Sequence, residues 1–303
     1  MRGDGRLSFD GEQEMNSARP RRSCLYMPGA NAKALEKAKS LAADVLIFDL
    51  EDSVAPEAKE DARAQVAAAV KAGDYGKREI IVRVNGLSTP WGRDDIAAAC
   101  ACGPNGILAP KIESGAQVAE LDAALTVAGL SKDAALWANI ETPRAILNLA
   151  DIAAAARTTR LACFVMGLND LSKETRAQQR LGRAAFQVAL SLAVMAARAE
   201  KLTAIDGVFN DIADTTGFEA ECRQALEFGY DGKTLIHPSQ IETANTVFAP
   251  SAEEVTRAQA IIAAFALPEN AGKGVIKVDG RMTELLHLEE AKRVVAVAEA
   301  IGA

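Results

Sequence analysis

Eight times between Ser23 and Ile236 a short apolar run gives way to polar or glycine residues and then to an alanine-rich amphipathic stretch. That alternation is the pattern of repeated βα units rather than of a sandwich or a bundle. The runs at 24–27, 45–50, 80–84, 106–109, 136–140, 162–166, 205–208 and 234–236 read as strands. Helical patterns lie between them, for example over 31–42, 59–72, 116–128, 144–154, 182–200 and 217–226. Eight parallel strands with intervening helices predict a TIM-type (β/α)8 barrel. A chain of 303 residues, 49% of them apolar, can bury one such core.

The barrel is assigned to residues 21–250. Residues 1–20 are polar, lack an apolar stretch of signal-peptide length, and read as a disordered arm. Residues 251–303 read as a C-terminal helical lid and oligomerisation extension. It holds a helix over 252–266, a glycine-flanked VIKVDGR segment expected as a strand pair or extended arm, and a last helix from about 283 to 300.

A net charge of −7, with no basic stripe interleaved with aromatics, argues against a nucleic-acid partner. No run reaches the about 18 to 20 apolar residues of a membrane helix. Cys24, Cys100, Cys102, Cys163 and Cys222 show no CxxC spacing and read as free thiols in a reducing compartment. The expectation is a cytoplasmic protein whose partner is a small molecule.

The stretch LIFDLEDSV, residues 46–54, sets Leu46, Ile47 and Phe48 directly before Asp49, and Leu50 before Glu51 and Asp52. A strand buried on both faces would deliver Asp49, Glu51 and Asp52 to the rim where α/β enzymes keep their chemistry. The plainer reading is that Asp52 and Ser53 cap the next helix. Glu141 and Asp170 each follow a proposed strand and would meet at the same mouth. Two carboxylates suit a hard divalent ion such as magnesium, which keeps open positions for water and substrate. Zinc is disfavoured, because neither histidine sits at ligand spacing with cysteine. The competing role for both acids is helix capping. Arg83, inside VRVN, would face the barrel and needs an anion, either a substrate carboxylate or a strand-two acid. Lys111 follows strand four and reads as a less specific rim cation. Arg22, and Lys59 with Arg63 one helical turn apart, could hold phosphates, although Lys59 and Arg63 also read as a solvated helix face. His237 is the histidine at a strand end, with packing as its alternative role. Glu284 and His287 are spaced to share a face of the last helix.

RRSCLYMPGAN, FDLEDSV followed by Lys59 and Ala62-Arg63, VRVN, APK, IETP, GLNDL and GYDGKTLIHPSQI occur in this order from about Arg21 onward. Together they resemble the HpcH/HpaI aldolase and citrate lyase beta-subunit-like superfamily, which includes lyases acting on malyl-CoA, β-methylmalyl-CoA and citramalyl-CoA. The resemblance implies a homotrimeric or hexameric TIM barrel holding Mg2+, with Mn2+ as its substitute, on Glu141 and Asp170. It places Arg83 on the oxo-acid end of the substrate, and Glu51 and Asp52 around the metal's water and the loop. It places Arg22, Lys59 and Arg63 near CoA; Gly167 and His237, at the ends of the sixth and eighth strands, are further candidates to bind the substrate. The implied reaction is a retro-Claisen or aldol cleavage of a 3-hydroxyacyl-CoA to a 2-oxo acid, glyoxylate or pyruvate, and an acyl-CoA. Alternatives on the same scaffold are a malyl-CoA thioesterase, a citrate lyase beta subunit forming oxaloacetate from a citryl thioester, and a non-catalytic CoA-binding relative. Two departures stand out. Asn169 replaces a glutamate frequent before the metal-binding aspartate, and Glu284 in GRMTELLH stands where the lid of many lyases carries a proton-transferring aspartate.

Overall fold

Val45 and Ile47 turn to one side of their strand, Leu46 and Phe48 to the other, and all four are fully buried. Such a strand needs cover on both faces, and the chain provides it by closing on itself. In a computed structural model, which describes residues 19–302, eight parallel strands form a closed barrel in the order β1 to β8. The elements run β1 (Ser23–Pro28), α1 (Ala32–Lys37), β2 (Val45–Asp49), α2 (Lys59–Ala72), β3 (Glu79–Arg83), α3 (Gly92–Cys102), β4 (Gly106–Ala109) and α4 (Gly115–Val127). They continue with β5 (Ala135–Ile140), α5 (Pro143–Leu147), α6 (Leu149–Ala154), β6 (Leu161–Met166), α7 (Leu168–Thr175), α8 (Gln187–Ala199), β7 (Thr203–Asp206), α9 (Thr215–Phe228), β8 (Gly232–Leu235) and α10 (Ile241–Val247). The ring closes where Ser23, Cys24 and Leu25 of β1 pair with Lys233, Thr234 and Leu235 of β8.

Alternation along each strand sorts the core into two sets. Cys24, Val45, Ile47, Ile81, Leu108, Trp137, Cys163, Val165 and Ile205 fill the barrel. Leu25, Leu46, Phe48, Val82, Ile107, Leu136 and Phe164 face the helices. The expected (β/α)8 architecture is present, with shifted boundaries. β7 begins at Thr203 rather than 205, and β8 at Gly232 rather than 234. Gly232 and Lys233 look like turn residues in sequence, but at Gly232 a Cβ would lie 1.9 Å from the Arg21 carbonyl oxygen, so only glycine fits. Lys233 is fully buried because its ammonium donates to Asp206 at 2.7 Å and Glu221 at 2.8 Å. Arg183 reaches the same Asp206 through both carboxylate oxygens at 2.7 Å, completing a buried network between the barrel wall and α9.

The helix expected over 144–154 is two helices, because Asn148 leaves helical geometry and donates its side chain to the Glu113 carbonyl at 2.8 Å. The helix expected over 31–42 stops at Lys37 and continues as a single tight turn over Ala38–Ser40. All five cysteines are free. Apart from Arg19 and Pro20, the arm expected over residues 1–20 lies outside the described residues. No described helix is long and apolar enough to cross a membrane.

Arg21–Phe248 forms one compact unit and the residues from Ala249 onward belong to a second. In the second, α11 (Ala252–Ala266) precedes an antiparallel hairpin, β9 (Val275–Val278) and β10 (Arg281–Glu284), and α12 (Leu285–Ile301). Ser251 caps α11 in a reciprocal box with Glu254. Ala258, Ile261 and Ala291 form a small core of this unit. The last helix starts at Leu285 rather than 283 because Thr283 and Glu284 pair with Ile276 and Val275 in the hairpin.

Candidate active site

The two-residue period that fills the barrel also turns specific polar side chains into its mouth. On β2, Asp49 follows Val45 and Ile47 inward; on β3, Arg83 follows Ile81; on β5, Asn139 and then Glu141 follow Trp137. Asp49 and Arg83 are register partners, and Arg83 Nε and Nη2 each donate to an Asp49 oxygen at 2.7 Å. Asp49 also accepts the backbone N–H of Glu51 at 2.9 Å and of Ser53 at 3.1 Å, which shapes the loop after β2. Burial pushes the Asp49 carboxyl up, but Arg83 and these donors outweigh it and hold it below its ordinary value. Arg83 Nη1 lies 2.9 Å from Glu51 and 3.5 Å from Asp52, and its guanidinium stacks on the Tyr26 ring at 4.8 Å. Arg83 is therefore engaged with the strand-two acids, one of the two roles expected of it.

Glu141 is buried at the end of β5. Its Oε1 accepts the backbone N–H of Lys111 at 2.7 Å, and its Oε2 takes a short hydrogen bond from Asn139 Nδ2. Thr142 caps α5, so Glu141 is not a cap. Gly167 faces Glu141 across the β5–β6 pair, where a Cβ would sit 2.3 Å from Glu141 Cβ. Gly167 therefore serves by making room for a carboxylate. Lys111 Nζ donates to Glu51 Oε1 at 3.0 Å, so one residue bridges both acids. Burial, and then the charge of Glu51, push the Glu141 carboxyl up to about 8, against the pull of Lys111. Burial likewise raises Glu51, with Arg83 opposing and Asp52 adding. Burial works against the Lys111 ammonium, yet Glu51, Glu141 and Asp170 together hold it above its ordinary value.

Asp170 lies in the first turn of α7, whose cap position is Gly167, so Asp170 does not cap that helix either. Its neighbour Asn169 exchanges hydrogen bonds with Asn210 at 2.8 and 3.2 Å and accepts one from Gln179 at 2.9 Å. Amides of α7, of the segment after it and of the loop after β7 thus join beside Asp170.

Other expected residues take other roles. Asp52 is exposed, and neither it nor Ser53 caps the following turn or α2. Lys59 is buried, not solvated: its ammonium donates to Leu50 O at 2.8 Å, Glu51 O at 2.7 Å and Asn85 Oδ1 at 3.0 Å, over the Trp91 ring. With three N–H bonds so used it braces the β2 loop and has none to offer a phosphate. Arg22 precedes β1 and so lies at the barrel's N-terminal end, away from the mouth, in a two-point pair with Asp44 at 2.8 Å. Arg63 pairs with Asp95 at 2.8 Å. Exposed His237 caps the turn Pro238–Gln240, its Nδ1 accepting the Ser239 N–H at 3.2 Å. In the second unit Glu284 and His287 do meet, but through the Glu284 backbone N–H, which donates to His287 Nδ1 at 2.9 Å. Sequence reasoning missed Tyr26 and Asn139, both of which follow from extending the inward alternation of β1 and β5 by one step.

Glu141 is a buried carboxylate short of positive charge, and Asn139 Oδ1 beside it is buried with no hydrogen-bond partner. Among the described residues no three His, Cys, Asp or Glu side chains gather as a metal cage. Oxygen donors few in number and under-compensated fit a hexacoordinate ion that keeps water and substrate oxygens, the habit of magnesium.

The HpcH/HpaI aldolase/citrate lyase family description matches residues 22–238. A (3S)-malyl-CoA thioesterase of Cereibacter sphaeroides is 48% identical over 288 residues, covering 95% of this chain and 98% of that protein. An L-malyl-CoA/β-methylmalyl-CoA lyase of the same species is 33% identical over 310 residues, covering 94% and 97%. Among solved structures, the CitE protein of Mycobacterium tuberculosis in complex with magnesium, acetoacetate and coenzyme A superposes with a TM-score of 0.72 at 28% identity, covering 95% of this chain and 100% of that one. On the match of that family description and the near full-length identity to these relatives, the chain belongs to the HpcH/HpaI aldolase/citrate lyase family.

Proposed function

We propose that this protein is a magnesium-dependent thioesterase acting on a 3-hydroxyacyl-CoA of the malyl-CoA type. The observation that carries this reading is the 48% identity to a malyl-CoA thioesterase along nearly the whole of both chains, against 33% to a malyl-CoA lyase. Glu141 and Asp170 are the residues that would hold the ion. When bound, it polarises substrate oxygens and neutralises charge on the hydroxy acid.

The rest of the chemistry falls to the chain. Lys111 N–H and Asn139 fix the Glu141 carboxylate. Arg83 and Lys111 fix Glu51, whose Oε2 is buried and accepts no aligned hydrogen bond. A carboxylate raised by burial and turned toward the mouth is a suitable general base. In this reading Glu51 takes a proton from water as its oxygen adds to the thioester carbon. Collapse of the adduct breaks the carbon–sulfur bond, and the proton passes to the departing thiolate, giving free CoA and the hydroxy diacid.

Carbon–carbon cleavage is the second reading, supported by the likeness to the lyase and by the same platform of acids. There a base takes the hydroxyl proton, the carbon–carbon bond breaks, and Glu284 serves as the proton relay to the enolate. A trimer or hexamer in which one chain's extension completes another's site belongs to this reading. Incubation with Mg2+ and malyl-CoA or citramalyl-CoA, with free CoA and 2-oxo acid assayed separately, decides between them. Free CoA without oxo acid is the expected result; oxo acid without free CoA establishes the lyase, and neither product refutes both.

A further inference from the structure

Lys111 has two properties that the reading above leaves unused. Its backbone is left-handed, with φ 53°, a conformation that residues bearing a Cβ take up rarely. The twist aims its N–H at Glu141 and its side chain at Glu51, so that the ammonium stands among the mouth's acids. It is also the more exposed of the two cations that reach the mouth's acids. Arg83 meets Asp49 at both oxygens and also Glu51 and Asp52, while Lys59 has all three N–H bonds on Leu50, Glu51 and Asn85. The Lys111 ammonium makes one hydrogen bond among the described residues, to Glu51, and its side chain is 46% exposed.

We propose that Lys111, rather than Arg83, binds the free carboxylate of the substrate, which makes it the residue that selects a malyl-type thioester over an uncharged 3-hydroxyacyl one. The inference rests on the proposed substrate class and adds the group that recognises it. A lysine ammonium has three rotatable donors on a flexible stem, so it can keep Glu51 and accept a second carboxylate at once. Arg83 keeps its Nη1 outside the fork to Asp49, but that nitrogen faces Glu51 and Asp52 and the side chain is 10% exposed, so a second carboxylate there would have to displace those acids. Lys111 forms and breaks no covalent bond in this role. It supplies a charged hydrogen bond that a substrate with methyl in place of carboxylate cannot use.

The test removes the pair from both ends. kcat/KM is measured for malyl-CoA and for 3-hydroxybutyryl-CoA with wild type, Lys111→Met, Lys111→Gly and Lys111→Arg, and the ratio of the two substrates is the readout. Loss of one charge-assisted hydrogen bond should lower the ratio about 30-fold in Lys111→Met. Lys111→Gly keeps the N–H that meets Glu141 and takes φ 53° without strain. It should therefore lose the ratio equally while melting above Lys111→Met, which separates recognition from folding. Lys111→Arg should keep most of the ratio. A ratio unchanged in Lys111→Met and Lys111→Gly overturns the assignment and returns the carboxylate to Arg83. Wild type that turns over neither substrate, or both alike, overturns the substrate class and this inference with it.

Discussion

Gly167→Ala isolates the packing that allows a carboxylate at the end of β5. Gly167 has φ −104°, which alanine adopts freely, so the substitution brings no backbone penalty. Its effect is steric: the new Cβ would stand 2.3 Å from Glu141 Cβ, 2.6 Å from Glu141 Oε2 and 3.3 Å from Asn139 Nδ2. Both Cβ atoms belong to the ends of paired strands and cannot rotate away. To reach ordinary contact, Glu141 and β6 must part by about 1 Å, a displacement that can lower a rate about 10²-fold where it moves a reacting group. Overpacking of this kind costs about 1–3 kcal/mol, or a melting temperature lower by about 3–10 °C for a unit of this size. The assays are thermal melting, and Mn2+ binding followed by electron paramagnetic resonance, with Gly86→Ala as control, since a Cβ there meets nothing nearer than Ser88 Oγ at 3.9 Å. The expected result is loss of Mn2+ affinity in Gly167→Ala and none in the control. A Gly167→Ala protein that melts and binds Mn2+ like wild type would refute both the steric argument and the place of Glu141 in the ion site.

Lys59→Met should destabilise the barrel by about 1–3 kcal/mol in urea unfolding, because it strands Asn85 Oδ1 and takes a charged donor from Leu50 O and Glu51 O, which keep only Asn85 Nδ2 and the Val54 N–H; a change below about 0.5 kcal/mol would mean that the loop after β2 holds itself. The lowered Asp49 carboxyl makes a pH prediction. A group depressed on folding adds stability that is complete above its unfolded value and fades as pH falls through its folded one. Stability should therefore decline below about pH 4 in wild type, and Asp49→Asn, already unpaired from Arg83, should be less stable at neutral pH and show less of that acid loss. Equal acid sensitivity of the two proteins would assign the loss to other carboxylates.

What the sequence makes legible here is local. Short buried runs ending in acids locate β2, β5 and β6, and the inward period of two then carries Arg83 and Glu141 to one mouth. What it hides depends on partners far along the chain. Lys233 is invisible as a core residue until Asp206 and Glu221 are known to surround it. Lys59 looks like a solvated helix lysine because the carbonyls it braces come from the strand before and the loop beyond. Arg22 sits beside a strand whose start, not its end, it adjoins, and a one-dimensional motif does not distinguish the two faces of a barrel. Lys111 reads as an ordinary rim cation since nothing in Pro110-Lys111 announces a left-handed backbone.

The mouth's charge explains why these pieces go together. Asp49, Glu51, Asp52, Glu141 and Asp170 are acids; Arg83 and Lys111 are the cations that reach them, Lys59 being bound to carbonyl oxygens. Arg83 satisfies the strand-two side, so Asp49 is held ionised below its ordinary value. On the other side Lys111 is shared between Glu51 and Glu141, and the shortfall appears as a Glu141 carboxyl pushed up to about 8. A divalent cation would correct that imbalance without a further protein side chain, and on the proposal above a substrate carboxylate arriving with it would meet Lys111, the more exposed of the two cations. On the two proposed readings the same arrangement would serve hydrolysis and carbon–carbon cleavage alike. The two would differ in whether Glu51 deprotonates a water aimed at the thioester or a base deprotonates the substrate's own hydroxyl, which is the difference that separate assay of free CoA and 2-oxo acid reads.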